Sequence, residues 1–331
     1  MDLDKNILAT LNPKNLELIL YPTEQCNFRC TYCYEDFLIG RMNEKTQAGI
    51  RNLINRRLPK LDNLHLQWFG GEPLAAKDLV IGLSEFAKKA CDQAGVNFSG
   101  SLTTNGYLLT IDLAEKLCKL NQRNYQISLD GFESGHDQTR KLASGAGTFN
   151  RIWSNLLALK ESSLDFGVTL RVHLTKENVS SVKRLAQEIK KTFLSDSRFT
   201  VFLKTIENLG GPSDTSGILL SKSEKLTTIA ELNELLNTNA INKSEKGLYV
   251  CYASRPNSLA IRADGTIQKC TVMLSDDRNS VGKIKENGAV ELDSERMSMW
   301  MRGYSDDKKI LSCPAVGLPK MPNLIPVVSA N

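Results

Sequence analysis

No window of this chain approaches eighteen consecutive apolar residues, which excludes a membrane-spanning helix of ordinary length. The first thirteen residues, Met1 to Pro13, are polar and lack the apolar core of a secretion signal. Basic residues form no block: the net charge of +5 is spread out, which mildly favours an anionic partner and gives no footprint for nucleic acid. No internal repeat or low-complexity tract is present. Together these absences leave a soluble, cytoplasmic protein as the expectation. Hydrophobic residues make up 41% of 331, enough for one large α/β barrel or two ordinary domains.

Cysteine is what the chain does have. Eight cysteines without a secretion signal point to metal or redox chemistry rather than a disulfide framework. Cys26, Cys30 and Cys33 stand early, Cys251, Cys270 and Cys313 late, and Cys91 and Cys118 fall in helix-like segments, where they read as small buried hydrophobes. The early group has the spacing C-x3-C-x2-C and follows an apolar run. Loops this short let three thiolates converge on one centre while leaving a fourth position without a cysteine. Iron–sulfur clusters usually take four thiolates, so a cube with three keeps one iron open. The alternative is a zinc knuckle short of one ligand, and no nearby histidine completes it.

Strands are expected at Leu16 to Tyr21, Leu64 to Phe69, Val96 to Thr103, Tyr125 to Leu129, Gly167 to Leu174 and Phe199 to Ile206. Helical spacing follows each of the last five and also covers Asn43 to Arg57, with Asn43 and Thr110 as N-caps. Six alternations argue for a parallel α/β sheet, either curled into a barrel or open and doubly wound. The cysteine loop, Gly70-Gly71-Glu72-Pro73, Thr103-Thr104-Asn105-Gly106 and Ser128-Leu129-Asp130-Gly131 all follow strand ends, where such folds build their sites. Beyond about residue 245 the pattern changes to a hairpin turning at Asp264-Gly265, a second Gly-containing turn within Val281 to Leu292, and a short helix at Met297 to Met301. The expected division is a short extension over 1–15, a barrel over 16–242 and a small C-terminal domain over 243–331.

At Cys26, Cys30, Tyr32 and Cys33 the chain resembles the radical S-adenosylmethionine (SAM) enzymes. The resemblance implies a partial (β/α)6 TIM barrel and a 4Fe–4S cluster on Cys26, Cys30 and Cys33, with SAM chelating the open iron. Gly70, Gly71 and Glu72 resemble the segment that receives the SAM amino group; taken alone they make an ordinary tight turn. Ser128 and Arg171 look like the residues that hold the SAM carboxylate and ribose, although Arg171 could instead pair with a structural acid. Asn105 is a further SAM contact, and Tyr32 offers an aromatic face to the adenine. His136-Asp137-x2-Arg140 resembles a segment of peptide-modifying members and reads as a brace rather than an acid–base pair. His65 and His173, on apolar strands, read as core residues. No catalytic acid or base is assigned.

Cys251, thirteen residues, Gly265, four residues and Cys270 resemble the opening of a SPASM or Twitch auxiliary-cluster domain, with Cys313 as a third ligand of one auxiliary 4Fe–4S cluster. The full SPASM pattern continues with cysteines that this chain lacks; a degenerate domain or a zinc site is the alternative. The resemblance implies an enzyme that takes an electron from a flavodoxin or ferredoxin and reductively cleaves SAM to a 5′-deoxyadenosyl radical. That radical would abstract hydrogen from a ribosomally made precursor peptide and form a crosslink of cyclophane or thioether type. Sulfatase-maturase-like oxidation of a Ser or Cys is the second enzymatic reading, and a non-catalytic electron-transfer or sensor protein the third. Fifteen residues before the first strand are too few for a leader-recognition domain, so recognition of a leader would fall to the barrel, the cap or a separate leader-recognition protein.

Overall fold

The computed structural model describes residues 2–237 and 249–320. The expected boundary near Lys243 lies outside the described residues. In chain order the elements are α1 (Asp2–Ala9), β1 (Asn15–Leu20), β2 (Phe28–Cys30), α2 (Glu44–Arg57), β3 (Asn63–Trp68), α3 (Lys77–Ala94), β4 (Asn97–Thr104), α4 (Ile111–Lys119), β5 (Gln122–Leu129), α5 (Ser134–Asp137), β6 (Arg140–Leu142) and α6 (Phe149–Glu161). There follow β7 (Gly167–Leu174), α7 (Val179–Thr192), β8 (Phe199–Thr205), α8 (Lys222–Leu236), β9 (Ser258–Ile261), β10 (Thr266–Gln268), β11 (Ser280–Ile284), β12 (Val290–Leu292) and α9 (Ser294–Met301).

Local chemistry sets the helix ends. The Asn43 side chain accepts from Thr46 N and that of Thr110 from Leu113 N, each satisfying an amide that the first helical turn leaves unpaired. Ser221 and Glu224 close a reciprocal capping box on α8. The first residues, expected as a polar extension, include α1, whose Ile7 is buried with Val250 and Leu311.

Strands β1, β3, β4, β5, β7 and β8 lie side by side in parallel. β9 adds to the other edge of β1, also in parallel, from Glu17↔Ser258 to Leu20↔Ile261. β10, β11 and β12 continue the same sheet with antiparallel pairing, giving ten strands with β12 and β8 at its ends. The sheet is therefore a six-stranded partial barrel carried on, without a break, by the C-terminal hairpins. A two-stranded ribbon of β2 and β6 sits apart, pairing Cys30 with Arg140.

Alternation along the strands sorts the side chains. On β7, Val168, Leu170 and Val172 join the main apolar core, while Arg171 and His173 line a central cavity. On β5, Tyr125, Ile127 and Leu129 are core and Ser128 lines the cavity.

Candidate active site

The turn after β3 grips the cysteine loop through backbone. Gly71 N donates to Thr23 O at 3.3 Å and Glu72 N to Gln25 O at 3.0 Å. Gly70 adopts φ +112°, and a Cβ there would stand 2.3 Å from Thr23 O; one on Gly71 would stand 2.6 Å from Gln25 O. Only glycine fits either approach. Glu72 is completely buried. Its Oε1 accepts from Leu74 N (2.9 Å) and Thr104 Oγ1 (2.7 Å), and its Oε2 from Asn105 N (2.7 Å). Burial raises its pKa, and those hydrogen bonds work against the rise. The carboxylate, the expected acceptor of an ammonium, ties the turn after β3 to the turn after β4.

Cys26, Cys30 and Cys33 open onto one cavity, together with Tyr32, Gly70, Gly71, Asn105, Ser128 and Arg171. All eight cysteines are free thiols. Burial pushes Cys26 up to about 12 and Cys33 to about 11, and raises Cys30 as well. Phe28 N donates to Cys26 Sγ at 3.3 Å, and Asn105 Nδ2 stands 3.9 Å from the same sulfur. Among the described residues, no three His, Cys, Asp or Glu side chains gather closely enough to share a single metal ion.

Ser128 and Arg171 are register partners on β5 and β7. Neither side chain forms a hydrogen bond or ion pair with any described residue, and Arg171 Nε is buried without a partner. Burial lowers the Arg171 pKa, but a guanidinium so far above neutrality stays charged. A half-buried guanidinium without a partner among the described residues, beside a hydroxyl that also lacks one, suits an anionic group entering the cavity.

A polar network backs the cysteine loop. Asp130 Oδ2 accepts from Tyr32 OH and Thr139 Oγ1, each at 2.6 Å, and Oδ1 lies 3.2 Å from His173 Nδ1. Arg140 Nη1 donates to Tyr32 OH at 2.9 Å. Burial alone would raise the Asp130 carboxyl, but the His173 hydrogen bond and the Arg140 charge hold it well below the usual carboxylate range. His136 braces, as expected: its Nδ1 accepts from Asp130 N at 3.3 Å and its Nε2 bonds Thr148 Oγ1 at 3.1 Å. Asp137 Oδ1 accepts from Thr148 N (2.7 Å) and Phe149 N (2.9 Å) at the start of α6. His65 bonds Ser99 and Ser101. His173 departs from the core role expected of it, for it lines the cavity beside Arg171.

The late cysteines come from three segments. Cys251 N donates to Leu311 O (2.8 Å), Cys270 N to Asn279 Oδ1 (2.8 Å), and Cys313 N to Ile310 O (3.1 Å). The charge of Cys313 bears on Cys251, and those of Cys251 and Cys313 bear on Cys270, so the three share one neighbourhood, with Cys270 buried and Cys313 exposed. Lys269 lies fully buried beside them, its Nζ donating to Arg255 O (2.6 Å) and Ser258 O (2.5 Å), and burial draws its pKa down to about 7. Hydrogen bonds join the two cysteine regions: Tyr34 OH donates to Thr271 O (3.4 Å), and Thr271 is bonded to Tyr252. A buried ion pair joins them again, Arg262 closing on Glu24 through Nε at 3.1 Å and through Nη2.

Sequence reasoning passed over Glu35, whose two oxygens are buried without partners at the cavity and whose pKa burial pushes to about 8. It also passed over Lys204, Glu207, Thr215 and Thr271 in the cavity lining. The available signal was position: Glu35 stands two residues beyond Cys33, and Thr271 directly follows Cys270.

The family model described as the radical SAM superfamily matches residues 20–189. The chain is 24% identical over 304 residues to the cysteine-type anaerobic sulfatase-maturating enzyme of Clostridium novyi (strain NT), covering 84% of this chain and 79% of that protein. It is 30% identical over 120 residues to the PqqA peptide cyclase of Bradyrhizobium diazoefficiens, 36% of this chain and 30% of that one. Among solved structures, anSMEcpe with bound AdoMet superposes with a TM-score of 0.66 at 18% identity, covering 87% and 84% of the two chains. Streptococcus suis SuiB bound to the precursor peptide SuiA superposes with a TM-score of 0.56 at 16% identity, covering 92% and 68%. These likenesses bear out the partial-barrel fold.

Proposed function

The chain belongs to the radical SAM superfamily, and on that premise we propose that it is a maturase that removes two hydrogens from a ribosomally made peptide to form a crosslink. The observation that carries the SAM part is the pairing of Ser128 with an unpartnered Arg171 in the cavity that receives Cys26, Cys30 and Cys33. Those cysteines would hold the 4Fe–4S cluster, and Ser128 and Arg171 the SAM carboxylate. When bound, cluster and SAM supply the hydrogen-abstracting radical; a flavodoxin or ferredoxin is the fitting electron donor.

The chain's own contribution is position and exclusion. Glu72 fixes Asn105 against the cysteine loop, the Asp130–Arg140 network fixes Tyr32, and the walls shield the reacting centre from water. Cys251, Cys270 and Cys313 would hold an auxiliary cluster, and Thr271 brings that region to the cavity wall. The peptide substrate rests on likeness to the PqqA peptide cyclase and to SuiB, which was solved with a precursor peptide.

A second reading, oxidation of a Ser or Cys in a protein segment, is favoured by the breadth of the match to the Clostridium novyi enzyme. Incubating the reconstituted protein with dithionite, SAM and peptides encoded beside its gene separates the two. A peptide lighter by two hydrogens and inert to hydrazide supports crosslinking; a hydrazide-reactive aldehyde supports the second reading. Arg171→Leu should weaken SAM binding by tenfold to a hundredfold, corresponding to roughly 1.5–3 kcal/mol for a charge-assisted contact.

A further inference from the structure

The chain has only three histidines, and their nitrogens are used differently. Both ring nitrogens of His65 are bonded to Ser99 and Ser101, and both of His136 to Asp130 N and Thr148 Oγ1. In His173, Nδ1 lies 3.2 Å from Asp130 Oδ1 and 3.2 Å from Tyr32 OH, while Nε2 makes no hydrogen bond with any described residue. The ring lines the cavity two residues beyond Arg171 on the same face of β7. An ionised Asp130 beneath Nδ1 fixes the tautomer, so the proton sits on Nδ1 and the lone pair on Nε2. This is the arrangement of an oriented base facing the reacting space.

We propose that His173, oriented by Asp130, is the base that takes the substrate's X–H proton during the oxidation, X being the sulfur, oxygen, nitrogen or carbon that gains a new bond. The inference rests on the peptide-oxidation reading. The balance is complete: one hydrogen atom goes from substrate carbon to the SAM-derived radical, one proton from X–H to Nε2, and one electron to an oxidised iron–sulfur acceptor. The substrate leaves two hydrogens lighter, with one new bond. The groups facing the ring are Asp130 after β5, Arg140 on β6, Tyr32 in the cysteine loop and Arg171 on its own strand. Burial holds the ring's pKa down near 4, which keeps it a free base at neutral pH.

Two measurements test this. The first needs no turnover: brief treatment of cluster-loaded protein with diethyl pyrocarbonate, followed by peptide mapping, should carbethoxylate His173 ahead of His136, which is fully buried with both nitrogens bonded. Modification of His136 first overturns the assigned geometry. The second measures product formed per 5′-deoxyadenosine released, using synthetic peptides with one Cys, Ser or Lys deuterated at Cβ. In His173→Gln that ratio should fall at least tenfold while deuterium still appears in 5′-deoxyadenosine, and imidazole should restore it in His173→Gly. An unchanged ratio overturns the base assignment and leaves the peptide-oxidation reading standing. No product from the wild-type protein with any peptide overturns that reading and the base with it. Should the variants fail to load iron, carbethoxylated wild-type protein should show the same fall, reversed by hydroxylamine; an unaltered ratio overturns the proposal.

Discussion

The two cysteine groups are built in opposite ways. Cys26, Cys30 and Cys33 lie within eight residues, on one loop gripped by backbone hydrogen bonds, and all three open onto the cavity with Ser128 and Arg171. Cys251, Cys270 and Cys313 are gathered from three segments, one of them exposed, and reach the cavity only through the neighbouring Thr271 and Val272. The first site owes its geometry to local spacing and the second to tertiary packing. That difference matches the proposed division of labour, with chemistry at the first and electron handling at the second.

The sharpest test exchanges damage between the groups. Cys26→Ala, Cys30→Ala or Cys33→Ala should each abolish 5′-deoxyadenosine formation, a loss of at least about a thousandfold if the radical step is the one removed. Cys251→Ala, Cys270→Ala or Cys313→Ala should leave that formation within a few-fold, cut peptide product, and lower bound iron by about half. Equal loss of 5′-deoxyadenosine from both sets would break the comparison.

Next in size is the tie between the regions. Glu24 is fully buried and its partner Arg262 sits in the hairpin after β9. Glu24→Ala should cost about 3–5 kcal/mol by stranding the guanidinium, read as a lower denaturant midpoint, and Glu24→Met with Arg262→Met should recover much of it. A single-variant loss under about 1 kcal/mol would show the two regions to be independent.

The smallest effect concerns pH. Burial lowers His136 and His173 from 6.5 to about 4, so between those values the unfolded chain binds more protons than the folded one. The two rings' own contribution is therefore complete above about pH 6.5 and is lost as the pH drops toward 4, by up to about 1.4 kcal/mol per pH unit for each ring, while Glu35, raised to about 8, works in the opposite direction. Denaturant titrations at pH 7 and pH 5 should show this loss as a difference in pH dependence between the wild-type and His136→Asn proteins. The same pH dependence in the wild-type and His136→Asn proteins would contradict the burial of His136.

Local features were the ones legible in the sequence. The six barrel strands, the caps Asn43 and Thr110 and the cysteine loop follow from spacing and side-chain chemistry within a few residues. Arg171 and Ser128 stood out on strand faces and meet in register. What stayed hidden depends on distant partners. The β9–β1 pairing joins residues about 240 apart, which no periodicity reports. The charge on Glu72 pointed to an ammonium, but Thr104 and Asn105, more than thirty residues away, occupy its oxygens. His173 looked like a core residue because its strand is apolar, and the alternation that turns Arg171 to the cavity turns His173 there too.

The parallel seam between β1 and β9 also imposes an order of assembly. β1 is made well before β9, yet one of its edges stays open until residues 258–261 arrive, and Glu24 lacks its Arg262 partner until that residue follows. An unpaired strand edge and a lone acid disfavour early closure around the first cysteine loop. Completion of that loop's setting thus waits on segments more than two hundred residues downstream.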